Sequence, residues 1–476
     1  MKDSCERLLI VLAASVLLLA VVFIGMSAVT ERNRRAAVDR LKNSEVLQRY
    51  KQTPREGNQA GSGTSTQSEG EPPTEEPVAA DTDKKKIAAF AHAIARVKAL
   101  SEDTNWNEAN DKLSKPVEKW TEEDWARQKE LIAQVHNLIS EIRHLAEMGG
   151  PACELDLSTK GLNELRSHDP AFRGMARLLS SDALVCGHEA NYSEAVDDIL
   201  AVLNLAGIVR DEPTLISQLS AMAIEAMACG AAKSALPAEG ISSDLARKLV
   251  EYAGPTDLRG KFASSFFGEG IMELEAFDAI RTGLTADQLD AYDQLTGRPS
   301  ALNDLLLRAY GSTFARPWLN MDEQTCADTI QRIAEIAGLP YYEALPRMHN
   351  MEEEVGALPR TRFLSRWVLR IVTPAFTRST ESQARVEAMR DLMRIGISVE
   401  QYHAIAGSFP TTLDAISPSL GGSVPVDPFT GESYHYQLSG GSFLLYSVGP
   451  NQTDDGGTFD FRTGDIVWRG VPNDEQ

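Results

Sequence analysis

The chain has 476 residues, 43% hydrophobic and 24% charged, an ordinary globular balance with length enough for two or three domains. Its 68 acidic residues outnumber 47 basic ones, for a formal net charge of −21. That excludes a face built to hold polyphosphate by counterion release, so nucleic acid is not an expected partner.

Cys5, Cys153, Cys186, Cys229 and Cys326 form no CxxC pair and no zinc-ligand spacing. They read as buried thiols in helices, with a Cys153 to Cys186 disulfide left open for an oxidising compartment.

From Leu8 to Val29 the sequence carries no charge. As a helix that stretch is about 33 Å long, enough to span a bilayer, and longer than the apolar part of a cleaved signal peptide. Arg32, Arg34, Arg35, Arg40 and Lys42 follow it, while only Lys2 and Arg7 precede it. Charge bias alone would keep the bulk in the cytoplasm, but long domains translocate largely regardless of it. The expectation is a single-pass membrane protein with a periplasmic soluble part.

Between Lys51 and Asp83 the composition turns to Gly, Ser, Thr, Gln, Pro and Glu. A stretch with so little to bury does not offset its ordering entropy and is expected to be disordered.

Lys84 to Arg378 reads as helix throughout. Ile87, Phe90, Ala91, Ile94 and Val97 mark one buried stripe, and Leu131, Val135, Leu138, Ile139 and Ile142 mark another within one helix. A further helical set is expected to begin at Ala171 and run through a turn at Asn191 and Tyr192 into Ser193 to Val209, followed by helices over Pro213 to Ala235, Leu245 to Tyr252, Phe262 to Ile280, Gln324 to Ile336 and Tyr341 to Val355. Pro299, Pro317, Pro340 and Pro359 mark breaks between the later ones. Residues 183–206 resemble one tetratricopeptide hairpin, but no second copy follows at that period, so a bundle of antiparallel helix pairs is expected.

Chemistry-bearing residues in this region have bland readings beside functional ones. His136 and His144 share a helix with Glu141 but lack the HExxH spacing. His188 with Glu189 reads as a hairpin corner, and Glu352, Glu353 and Glu354 as a solvated face. Glu269, Glu273 and Glu275 stand in an apolar run where two carboxylates could form an acid/base pair, but no partner group is placed opposite them.

A last helix is expected from Thr380 to Ala406, opened by a Thr380/Gln383 capping box and ended by Gly407. After it come short strands, Tyr434 to Gln437 and Phe443 to Ser447. Gly440-Gly441 suits a tight hairpin, and "DPFTG" places Pro428 and Gly431 in a β-turn.

At Phe409 to Thr412, Asp427 to Phe429 with Tyr434, and Leu445 to Gly449, the sequence resembles the soluble end of the major pseudopilin of type II secretion systems. The resemblance covers roughly the last 75 residues. It implies an α+β module with a calcium-binding acidic loop, which would fall on Asp454, Asp455, Asp460 and Asp465. The start of the chain lacks the prepilin pattern, so the module reads as a reused fold. The chain also resembles a planctomycete-type family of membrane-anchored bacterial proteins, through "EPTLISQL" at Glu212 to Leu219 and through Asp427 to Gly457. That resemblance implies no reaction.

The expected organisation is mainly α, with a transmembrane anchor over 1–30, a juxtamembrane segment and disordered linker over 31–83, an all-helical bundle over 84–378 and a pseudopilin-like α+β module over 379–476. No spacing of residues specifies a reaction. The leading expectation is a non-enzymatic binding or scaffold protein of the bacterial cell envelope with a protein partner. An accessory component of a secretion or pilus-like apparatus and an envelope hydrolase are the alternatives.

Overall fold

The computed structural model describes residues 26–43, 76–104, 106–107, 117–152, 159–237, 241–254, 257–283, 307–439, 441–458 and 464–469. Most of the apolar span at 8–29, most of the expected linker, Cys5, Cys153 and Asp460 lie outside these residues. The chain is mainly helical with a small C-terminal antiparallel sheet.

In chain order the helices are α1 (residues 26–42), α2 (Glu76–Glu102), α3 (Glu122–Gln134), α4 (His136–Met148), α5 (Thr159–His188), α6 (Tyr192–Arg210), α7 (Leu215–Ala235), α8 (Ser243–Tyr252), α9 (Leu258–Thr282), α10 (Arg316–Ala337), α11 (Tyr341–Gly356) and α12 (Phe363–Ala406). A 3-10 segment, Leu413–Leu420, leads to β1 (His435–Ser439), β2 (Ser442–Ser447) and β3 (Ile466–Arg469).

By contact the chain divides into two units, each assembled from separated stretches. The smaller holds residues 1–51, 266–336 and 347–377, and the larger holds 52–265, 337–346 and 378–476. The expected boundary at 378/379 therefore falls inside α12, which runs unbroken from Phe363 with Pro374 in its interior. Thr380 does not open a helix. It is buried, as is Gln383, whose side chain accepts a hydrogen bond from Arg210 Nη1 at 3.1 Å.

The expected linker also ends earlier than Asp83, because α2 is already helical at Glu76. The segment that follows the uncharged stretch is itself packed. Within the smaller unit α1 buries Ala37, Val38 and Leu41, and Leu41 packs at Gly270 of α9. Arg34 pairs with Glu31 (2.8 Å) and with Glu323 of α10 (2.9 Å), and Arg40 pairs with Asp328 (2.7 Å). Two of the cations that looked like topology signals thus hold α1 onto α10. Arg34 and Arg35 pull the Glu31 carboxyl down to about 2. Asp322 completes this unit by accepting the Leu364 N–H (2.9 Å) and the Ser365 hydroxyl (2.7 Å), which caps the start of α12.

The larger unit is built on α5, α6 and α7, which pack against one another. The α5–α6 corner is tight, with Ala190 at φ +60, and the Asn191 N–H returns to the Cys186 carbonyl at 2.8 Å. The stripe expected as one helix over Leu131 to Ile142 is two helices, because the chain turns at Val135 (φ −113, ψ 11); both still bury their apolar sides. Helix α7 starts at Leu215 with Thr214 as its N-cap, so Pro213 lies just outside it rather than in its first turn. It is the one described helix long and apolar enough to cross a bilayer. Ala221, Ile224, Ala228 and Ala232 are nonetheless fully buried, which accounts for the apolarity by core packing.

The sheet has order β1-β2-β3, with Ser439 paired to Ser442 across a two-residue turn and Gly441 at φ +87. Its buried residues Phe443, Leu445, Ile466 and Trp468 join one core with the helices of the larger unit. The C-terminal strands are therefore part of that unit's core.

Candidate binding groove

Of the "EPTLISQL" residues, Glu212 to Thr214 form a turn and Leu215 to Leu219 begin α7; the polar side chains of Glu212, Thr214, Ser217 and Gln218 are buried, whereas Ile216 and Leu219 are exposed. Thr214 accepts the Ser217 N–H (3.1 Å), the Ser217 hydroxyl donates to Glu212 Oε2 (2.6 Å), and Gln218 Nε2 donates to the carbonyls of Arg210 (2.8 Å) and Glu212 (3.1 Å). Four polar side chains thus close the α6–α7 connection and aim Arg210 inward. Arg210 is 2% exposed, and its Nη2 donates to Glu225 Oε2 at 2.8 Å. Arg390 of α12 donates to the other oxygen of Glu225 at 3.0 Å and, through Nε, to the Ala253 carbonyl at 3.1 Å. One carboxylate of α7 therefore joins the end of α6 to α12.

A second ionic cluster sits between α4, α5 and α6. Arg143 Nε donates to Asp198 Oδ1 at 2.8 Å, and its Nη2 lies 3.2 Å from Asp182 Oδ2 and its Nη1 3.4 Å from Glu194 Oε1. Among the described residues, three potential metal-ligand atoms come within 4.8 Å of one another here, at Asp182, Cys186 and Glu194. The guanidinium of Arg143 already supplies a positive charge to those carboxylates. Burial and the neighbouring Asp182 push Asp198 up to about 8, and burial pushes the Cys186 thiol up to about 12. A thiol so protonated is a poor nucleophile and a poor ligand.

The acidic loop of the terminal module is held by its own hydrogen bonds. Asp465 is fully buried and accepts the N–H groups of Gly457 (2.7 Å) and Asp455 (3.5 Å). Asp454 accepts the Tyr446 hydroxyl (2.8 Å) and the Gly456 N–H (2.9 Å), and Asp455 accepts Asn451 Nδ2 (2.8 Å). These described carboxylates face hydrogen-bond donors, and Asp460 lies outside the described residues. The "DPFTG" turn forms around Asp427, whose carboxylate accepts the N–H of Phe429 (2.9 Å) and of Val448 (3.2 Å), while Gly431 takes φ +76.

Other singled-out residues have structural partners. Glu141 meets His92 at 2.9 Å and Arg96, so it bridges α4 to α2 instead of joining His136 and His144. His188 stacks on Trp125 with ring centroids 4.2 Å apart, and Glu189 pairs with Lys129. Glu354 pairs with Arg332 at 2.7 Å, and Glu352 accepts the Thr377 hydroxyl at 2.5 Å.

Glu273 is different, because its Oε2 is shut off from water without a hydrogen-bond partner. Burial, with a contribution from Glu269, raises its carboxyl from 4.5 to about 8. The folded chain keeps this proton up to about pH 8, while the unfolded chain releases it near 4.5. Raising the pH through that window therefore favours unfolding. The Glu273→Gln variant is expected to gain in melting temperature over the wild type as the pH rises from 5 to 9. A constant difference across that range would show that Glu273 ionises in the folded state as it does in the unfolded one.

A well-formed cavity belongs to the larger unit. It is a groove of about 670 Å³ between α7, α12 and β3. Met222, Ala226, Val386, Met389 and Trp468 supply much of its apolar wall, and Cys229, with its thiol raised to about 12 by burial, lies at its base. The indole of Trp468 rests on the α12 backbone, since a Cβ at Gly396 would sit 2.1 Å from its Nε1. Gly230 is opposite in kind: a Cβ there would meet nothing within 4 Å. Glycine in a helix interior costs about 0.5–1 kcal/mol relative to alanine, and here no close contact requires it. The charged groups of the lining are Lys233, Arg385 and Glu381. Lys233 donates to the Val467 carbonyl at 3.0 Å, and Arg385 pairs with Glu381 at 3.1 Å.

The sequence did not point to this groove, because its walls come from segments about 150 and 240 residues apart in the chain.

A smaller cavity of about 370 Å³, also in the larger unit, is lined in part by Arg259, Arg390, Arg394, Glu387 and Asp391. Its charges largely pair: Arg259 with Glu387 at 3.0 Å, and Arg394 with Asp391 at 3.6 Å. Burial and Glu387 raise Asp391 to about 7, and Tyr434 donates to it at 3.1 Å.

No family model matches the chain, and no curated protein or solved structure matches it.

Proposed function

We propose that the protein is a non-enzymatic binding protein of the bacterial envelope, held at a membrane by the uncharged segment 8–29, and that it binds its ligand in the groove between α7, α12 and β3. The observation that carries this reading is the groove itself. Its volume falls within the ~300–1,000 Å³ of small-molecule sites, and its wall is mostly apolar with a few polar groups at the edge. An acidic, soluble part on a membrane tether suits capture of an apolar compound close to a lipid surface. The terminal helix and sheet are then a pseudopilin-like fold reused as one wall of a binding site.

The test uses the full chain in lipid nanodiscs, titrated with a solvatochromic apolar dye against empty nanodiscs. Saturable binding that is lost in Gly230→Leu, a variant whose side chain enters open space and whose melt is checked alongside, supports the reading. Dye uptake equal to that of empty nanodiscs removes it.

A further inference from the structure

The helices of the smaller unit share a register that gives it two distinct ends. Arg34 pairs with Glu323 and, further along, Arg40 pairs with Asp328, so α1 and α10 run side by side in the same direction. Leu41 and Ile330 both stand over Gly270 of α9, which repeats that register, and Arg281 near the end of α9 reaches Asn320 and Glu323. Helix α9 therefore runs the other way. Carried back along α1 and α10, the register sets Val29 level with Trp318, and Phe314 stands a turn beyond. Val29 is 58% exposed and Phe314 is 74% exposed, with the Phe314 ring 6.1 Å from that of half-buried Trp318. Exposed apolar surface of the unit thus gathers at one end.

We propose that this end of the smaller unit is seated on a lipid bilayer, with the rings of Phe314 and Trp318 in the interface between head groups and acyl chains. The proposal rests on the reading of 8–29 as a membrane segment and goes beyond it, because a tether alone leaves the folded unit free to stand away from the surface. What names lipid as the occupant is the place where the uncharged segment ends. Residues 8–29 carry no charge and run into α1 at this same end, so a bilayer that holds them lies against Phe314. Arg32 is exposed about 5 Å further along α1 than Val29, within the depth of a head-group layer. Tryptophan is favoured at that depth, and phenylalanine on the apolar side of it.

The test labels the full chain in phosphatidylcholine nanodiscs at two introduced cysteines. Thr313→Cys is beside Phe314, and Glu335→Cys, also on an exposed residue, lies about 25 Å along α10 from Trp318. Each carries the same fluorophore, and quenching by lipid with a spin label near the head group is read against the labelled wild type, which has five cysteines of its own. Quenching at Thr313→Cys is expected to be several-fold stronger than at Glu335→Cys, and adding Phe314→Asp should bring it down towards the Glu335→Cys value. Equal quenching at the two positions overturns the seating while leaving the tether in place. A chain that does not elute with the nanodiscs overturns the tether, and the seating with it. Strong quenching at Thr313→Cys that Phe314→Asp leaves unchanged overturns the contact assigned to Phe314. A Thr313→Cys label reached neither by the lipid quencher nor by aqueous iodide gives this end to a second copy of the chain and overturns the proposal as well.

Discussion

Glu225→Ala is expected to lower the stability of the larger unit by ~3–5 kcal/mol, the cost of leaving buried charge uncompensated. Arg210 and Arg390 both donate to this carboxylate, and both are buried, from α6 and α12. Removing it leaves two guanidinium groups facing each other with little water. Glu225→Gln, which keeps an acceptor but not the charge, should lie between that variant and the wild type. The informative comparison is the triple replacement Arg210→Met, Glu225→Met, Arg390→Met. If desolvation is what makes the single change costly, the triple variant should recover much of the loss. Denaturant midpoints for the four proteins measure this, and a Glu225→Ala loss below about 1 kcal/mol would mean that both arginines reach solvent.

Gly187→Ala should also destabilise the larger unit, by about 1–3 kcal/mol or more, even though alanine is the better helix former. The added Cβ would stand 2.2 Å from the Ala235 carbonyl oxygen and 2.7 Å and 2.8 Å from its Cα and carbonyl carbon. These are backbone atoms, so α5 and the end of α7 must separate. Gly230→Ala supplies the control of opposite sign, since its Cβ meets nothing and the helix gains up to ~1 kcal/mol. Thermal melts of the two variants should move in opposite directions. Similar shifts would mean that the close approach at Gly187 relaxes freely.

Local pattern was enough to read much of this architecture. Phe90, Ile94 and Val97 of α2, the turn at Asp427 and the hairpin at Gly441 all depend on residues close in sequence, and they stand where the spacing placed them, although Ala91 of the expected stripe is exposed. What local pattern could not supply was long-range pairing. Thr380 and Gln383 imitate a capping box, but Arg210 holds Gln383 from 173 residues away, and the helix continues through Pro374. Asp182 and Asp198 resemble surface acids until Arg143, distant in sequence from both, is placed between them. Strand β3 has four residues and pairs across a loop, so no alternation announced it. The groove was hidden for the same reason, being the meeting place of α7, α12 and β3.

The shared core of the larger unit has a consequence for biosynthesis. Ile466 and Trp468 pack with residues of α7 and α12 that leave the ribosome long before them. Until the last strand emerges, Gly396 lacks its indole cover and the apolar wall of α12 stays open. The smaller unit must likewise wait for residues beyond 347 to join those before 51. Neither unit can complete itself co-translationally from its N-terminal part. The nascent chain should therefore keep apolar surface exposed until synthesis has passed Trp468.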